Sequence, residues 1–140
     1  MKITKQFDFC MAHRLTFHKG KCYNLHGHNY LLEVEVEGDV DENGFVMDFG
    51  DLKEMVKPFV ERLDHSLWIY KEDKILMETY KIEMDRLFRR NIMETESTAE
   101  NIAKWFHQKI SERFGTMYEL FSFKIKIWET PTSFAEYDGG

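Results

Sequence analysis

The chain has 140 residues, 43% of them hydrophobic and 31% charged, a length and balance that fit a single folded domain over 1–140 and exclude a disordered or fibrous chain. With 19 Lys and Arg against 25 Asp and Glu, the net charge of −6 argues against nucleic acid as the main partner, because binding phosphate backbones needs a basic face. No stretch approaches the roughly 18 apolar residues of a membrane span, and the first residues lack a signal-peptide core. The expected compartment is therefore the cytosol, where Cys10 and Cys22 stay reduced.

Residues 2–13 alternate, with Ile3, Phe7, Phe9, Met11 and His13 on one parity and Lys2, Thr4, Gln6 and Asp8 on the other. That period predicts a strand with one buried face. Residues 26–37 repeat the pattern: His26, His28, Tyr30, Leu32, Val34 and Val36 share a face opposite Glu33, Glu35 and Glu37. Asp41-Glu42-Asn43-Gly44 reads as a turn. Over 49–63 the period becomes helical, with a stripe of Leu52, Met55, Val56, Phe59, Val60 and Leu63 behind an Asp48 N-cap. Pro58 removes one hydrogen bond from that helix and is expected to bend it.

A second helix is predicted over 98–114, with a capping box in Ser97-Thr98-Ala99-Glu100 and a stripe of Ile102, Trp105, Phe106, Ile110 and Phe114. Phe121, Phe123, Ile125, Ile127 and Glu129 then alternate as a third strand, and 133–138 form a short last one after a Pro131-Thr132 turn. Residues 66–96 are charged and aromatic, and the near-helical spacing of Leu76, Tyr80, Met84 and Leu87 predicts a partly helical excursion. The predicted order is strand, strand, helix, helix, strand, strand.

His26 and His28 stand two apart on a strand, so both imidazoles share one face, roughly 6.6 Å apart at the backbone. His13 has the parity of the preceding strand's apolar face. If the two strands are neighbours without a bulge, the imidazoles of His13, His26 and His28 converge, a donor set suited to a zinc site with an open position. Cys22, four residues before His26, is open to three readings: a fourth ligand that closes a structural site, a thiolate beside the metal whose pKa Lys19 and Lys21 would lower, or an inert loop thiol. Cys10 has the wrong parity for the apolar face and receives no role. Asp64-His65 has the composition of an acid–base unit, although adjacent side chains seldom bond each other usefully. Glu129 is a carboxylate on an apolar face, which is costly without a partner. It would be salt-bridged, or would accept two N–H donors from a guanidine-like edge such as that of a pterin or guanine.

Ala12-His13-Arg14, Cys22-x-x-x-His26-Gly27-His28-Asn29-Tyr30, Val46-Met47-Asp48-Phe49, Leu63-Asp64-His65, Ser97-Thr98-Ala99-Glu100-Asn101 and Trp128-Glu129-Thr130 follow one another in this order. Together they resemble the 6-pyruvoyl-tetrahydropterin synthase and 6-carboxytetrahydropterin synthase (QueD) family, over nearly the whole chain except 66–96. The resemblance implies an α+β tunnelling fold: a four-stranded antiparallel sheet with two helices on one face, order ββααββ, closing into a barrel in trimers that usually pair as homohexamers. It implies Zn2+ on His13, His26 and His28, Cys22 as the catalytic thiolate base, and Asp64 and His65 as its acid–base support from a neighbouring subunit. Glu129 would anchor the pterin ring and Thr98 would also touch it.

The three-residue gap between Cys22 and His26 looks like the QueD branch of queuosine and 7-deazaguanine biosynthesis. Pyruvoyl-forming members usually have a longer gap, and a folate-linked branch tends to place Glu where this chain relies on Cys. The implied reaction converts 7,8-dihydroneopterin triphosphate to 6-carboxy-5,6,7,8-tetrahydropterin with loss of triphosphate and acetaldehyde. Its rivals are elimination of triphosphate alone, as in pyruvoyl-forming synthases, and a non-catalytic zinc-stabilised binding or assembly module. Because the substrate is anionic, a local basic mouth is expected from Arg14, Lys19 and Lys21. The segment 66–96 departs from compact bacterial members and bears on substrate identity.

Overall fold

A computed structural model describes residues 1–79 and 82–140. The chain runs β1 (Lys2–His13), β2 (His26–Glu37), α1 (Phe49–Leu63), β3 (Ser66–Tyr70), α2 (Lys74–Thr79), β4 (Arg89–Met93), α3 (Ala99–Phe114), β5 (Ser122–Thr130) and β6 (Ser133–Tyr137). The strands form one sheet in the order β4-β3-β1-β2-β5-β6. β1, β2, β5 and β6 pair antiparallel, whereas β3 runs parallel to both β1 and β4.

The alternating strands lie where their period puts them. Phe9, Met11, Tyr30, Leu32, Val34, Val36, Phe123, Ile125 and Ile127 are buried against α1 and α3. From the helices, Leu52, Val56, Val60 and Leu63 meet Ile102, Ala103, Phe106, Ile110 and Phe114. Asp48 caps α1 by accepting from the amides of Gly50 and Asp51, and α1 stays a continuous helix through Pro58.

The sheet is six-stranded and mixed, not the expected four-stranded antiparallel one. The extra pair, β3 and β4, comes from the segment expected to be partly helical; among its described residues only the short α2 and a 3-10 turn at Ile82–Arg86 are helical, and Tyr80 lies outside the described residues. Ser66, Leu67, Trp68 and Ile69 are all buried, so β3 shows no alternation from which a strand could be read. In β4, alternation survives only in Asn91 and Met93, behind two exposed arginines. Among the described residues, no helix is long and apolar enough to cross a membrane.

Candidate active site

The unbroken β1–β2 register sets the site. It runs from Lys2 opposite Glu37 to His13 opposite His26, placing Met11 opposite His28. Directly opposed residues point to the same side of a sheet, so His13, His26 and His28 share a face and their ligating nitrogens lie within 4.8 Å of one another. His26 Nε2 is 3.1 Å from His13 Nε2 and 3.1 Å from His28 Nε2.

The other ring nitrogens identify the tautomers. His13 Nδ1 lies 3.0 Å from the Ser97 carbonyl and 2.9 Å from its hydroxyl; His26 Nδ1 lies 2.7 Å from the Asn24 carbonyl. A carbonyl only accepts, so each neutral ring carries its proton on Nδ1 and presents a bare Nε2. Burial lowers the His13 pKa to about 4, against the opposing pull of the Ser97 bond, so the ring stays neutral near pH 7. His28 is also lowered, chiefly by burial, with Glu129 pulling the other way. Two bare lone pairs facing each other at 3.1 Å repel. A cation between them turns that repulsion into ligation, and three neutral imidazoles suit a first-row transition metal or zinc. Tyr30, whose hydroxyl is 3.4 Å from the His13 ring nitrogens, closes the buried side of the cluster.

Cys22 sits half-buried in a 3-10 turn, Lys21–Tyr23, and its carbonyl accepts from the Leu15 amide at 2.9 Å. Its thiol is not among the converging ligand atoms, a set made up of the three histidines. Glu129 ends the apolar face of β5 and is half-buried, with Oε1 3.6 Å from His28 Nε2. Thr98 is the N-cap of α3, its hydroxyl accepting from the Asn101 amide at 3.2 Å. The cap is thus Thr98 and not Ser97; Ser97 instead holds His13, a partnership across 84 positions with no local signature in the sequence.

Asp64 and His65 do bond each other, contrary to the general expectation for neighbours: His65 Nδ1 is 2.9 Å from Asp64 Oδ2. The turn permits it, because His65 takes a left-handed φ of 54° just after the end of α1. Asp64 also accepts from the Cys10 amide, and the His65 amide donates to the Cys10 carbonyl. Burial pushes the Asp64 carboxyl upward, but the Cys10 and His65 bonds outweigh it and leave the pKa below the usual value. His65 lines a cavity with Cys10, Ala12, Gly27, Asn29 and Leu67, bordered also by His28. Cys10 and Asn29 have the parity opposite to His13 and Met11. Within one chain, the pair therefore opens on the sheet face away from the three histidines.

Arg14 is not part of a basic mouth. It is buried, and Nη1 donates to both carboxylate oxygens of Asp73 at 2.7 Å. Lys19 and Lys21 are exposed beside Cys22.

Comparison with known proteins matches residues 2–140 to the family model described as 6-pyruvoyl tetrahydropterin synthase. The chain is 38% identical over 142 residues to the 6-carboxy-5,6,7,8-tetrahydropterin synthase of Haemophilus influenzae, covering 97% of each chain. It is 36% identical over 138 residues to the protein of the same name from Rickettsia bellii, covering 97% of this chain and 99% of that one. Among solved structures it is similar to the 6-pyruvoyl tetrahydropterin synthase of Plasmodium falciparum, with a TM-score of 0.79, 23% identity, and coverage of 98% of this chain and 96% of that one.

Proposed function

Because the chain belongs to the 6-pyruvoyl tetrahydropterin synthase family, we propose that it acts as a 6-carboxy-5,6,7,8-tetrahydropterin synthase. In this reading it is a lyase that converts 7,8-dihydroneopterin triphosphate to 6-carboxy-5,6,7,8-tetrahydropterin with release of triphosphate and acetaldehyde. The full-length similarity to relatives of that name supports it, and the observation that carries it is the set of three convergent imidazoles, with His13 and His26 presenting bare Nε2 atoms.

The metal is zinc, held by His13, His26 and His28; when bound, it supplies Lewis-acid polarisation of substrate oxygens. Cys22, outside the converging ligands, is the base that removes a proton from the substrate side chain. Asp64, kept ionised by its bonds to Cys10 and His65, fixes the His65 proton on Nδ1 and leaves Nε2 to accept or return a proton. Glu129 accepts from N–H donors of the pterin ring, and Thr98, whose hydroxyl caps α3, also touches the ring in this reading. Since Asp64-His65 opens on the other face of its own sheet, it serves the site of a neighbouring copy in a trimer or hexamer. Lys19 and Lys21 are left to meet the triphosphate.

The test is to incubate the zinc-loaded protein with 7,8-dihydroneopterin triphosphate and identify products by mass spectrometry. Carboxytetrahydropterin with acetaldehyde is the expected result. Pyruvoyl-tetrahydropterin would reassign the branch, and absence of turnover would reject the reading. Cys22→Ala should keep the metal and fold while losing about 10²–10⁴ in rate; loss of metal would instead make Cys22 a structural ligand.

A further inference from the structure

The loop between β1 and β2 carries Cys22, yet it has no regular structure beyond one 3-10 turn. A base must be held within a fraction of an ångström of its target proton, so the loop has to be tied internally and anchored to the rest of the fold. Arg14, the first residue of that loop, makes both ties. Its Nε donates to the Tyr23 carbonyl at 2.9 Å, and its guanidinium lies 4.3 Å from the centre of the Tyr23 ring. The residue bonded and stacked is the immediate neighbour of Cys22.

The other end of the guanidinium reaches the segment between β3 and α2. Nη1 bonds both oxygens of Asp73, with side chains only 6% and 2% exposed. Asp73 is itself fixed, its carboxylate accepting from the Leu76 amide at 3.1 Å and its own amide donating to the Tyr70 carbonyl at 2.8 Å. A buried ion pair adds little stability beyond what apolar residues would give there. Its geometry, planar and forked, is suited to registering two chain segments against each other.

We propose that Arg14 and Asp73 are positioning residues for Cys22, and that the turn between β3 and α2 serves the chemistry by clamping the thiol-bearing loop. This rests on the reading of Cys22 as the base.

Arg14→Lys is the sharpest variant, because it keeps a cation for Asp73 but loses the Nε bond to the Tyr23 carbonyl and the stacking. Arg14→Met with Asp73→Leu removes the pair together and leaves no buried charge unpaired. Each is loaded with zinc and compared with the parent protein by pterin turnover, by alkylation of Cys22 with iodoacetamide mapped on its peptide, and by deuterium exchange of the Leu15 amide, which is bonded to the Cys22 carbonyl. The expected result is unchanged zinc stoichiometry, kcat down by about 10- to 100-fold with KM changed less than about threefold, and faster alkylation and exchange. Parental kcat in either folded variant overturns the proposal, as does a lowered kcat with unchanged alkylation and exchange. If the parent protein itself fails to turn over the pterin, the functional reading falls while alkylation and exchange still decide whether the clamp exists.

Discussion

At His13 one proton decides what the site can hold. The Ser97 carbonyl and hydroxyl keep that proton on Nδ1, and burial keeps the ring from taking a second one until about pH 4. Outer partners of metal-binding histidines typically change affinity by 10–100-fold. Ser97→Ala removes the hydroxyl but leaves the carbonyl, so zinc affinity should fall by about tenfold, the low end of that range, in competition with a chromophoric chelator. An unchanged affinity would assign the whole effect to the carbonyl. The same residue gives the metal-free protein a pH dependence. Below its ordinary pKa of 6.5 the unfolded chain takes up a proton that folded His13 refuses until about 4. Stability is therefore intact above pH 6.5 and is lost as pH falls toward 4, by about 3 kcal/mol from this residue. His107, buried and also lowered by its burial, acts in the same direction. Urea unfolding of the chelated protein at pH 7 and pH 5 measures the loss; equal midpoints would contradict it.

At the scale of elements, β3 and β4 are what periodicity could not reveal, and they support the Asp64–His65 turn. Asn91 in β4 donates to the Arg62 carbonyl and the Ser66 hydroxyl, each at 3.0 Å, and accepts from Arg62 Nε. These bonds tie the end of α1 to both added strands. Asn91→Ala removes three hydrogen bonds made by a side chain only 9% exposed and leaves the Arg62 carbonyl with the longer bond from Arg89 alone. It should cost about 1–3 kcal/mol in urea unfolding, and a change within a few tenths would show that water replaces the amide. By contrast, β1, β2, α1, α3 and β5 were legible in the sequence because each buries one face and exposes the other, so that burial writes a period into the residues. Asp48 was legible as a cap because capping is local. The cap fell to Thr98 and not Ser97 because both fit a cap locally, and only the approach of β1 decides which hydroxyl is needed elsewhere.

On the scale of the whole molecule, the three histidines and the Asp64–His65 pair face opposite sides of one sheet, and β4 and β6 are edge strands with a single neighbour each. Both features fit assembly with further copies, in which one chain's His65 completes another's site. Mixed assemblies of Cys22→Ala and His65→Ala chains test this directly. Each variant alone should be inactive, whereas chains refolded together in equal amounts should recover about one quarter of parental turnover, the share of sites drawing an intact Cys22 and an intact His65 from different chains. No recovery would place both residues of a site in one chain. Sedimentation of the parent protein should show three or six copies, and a monomer at micromolar concentration would refute the shared site.

Several things were determined by the sequence alone: the alternating strands and striped helices, the inward parity of His13, His26 and His28 on their two strands, and the candidacy of Cys22, Asp64, His65 and Glu129. These depend on residue type and on spacing along one or two adjacent elements, where geometry follows from the 2.0 and 3.6 periods. Tertiary structure decided the rest. It made β3 a strand by burying both its faces, gave Ser97 to His13 across the fold, and let Asp64 bond its neighbour through a left-handed turn. It also withdrew Arg14 from the surface by pairing it with Asp73, 59 residues away. Each rests on contacts between segments distant in the chain, the Asp64–His65 turn through its bonds to Cys10, and such contacts leave no periodic trace in the residues that make them.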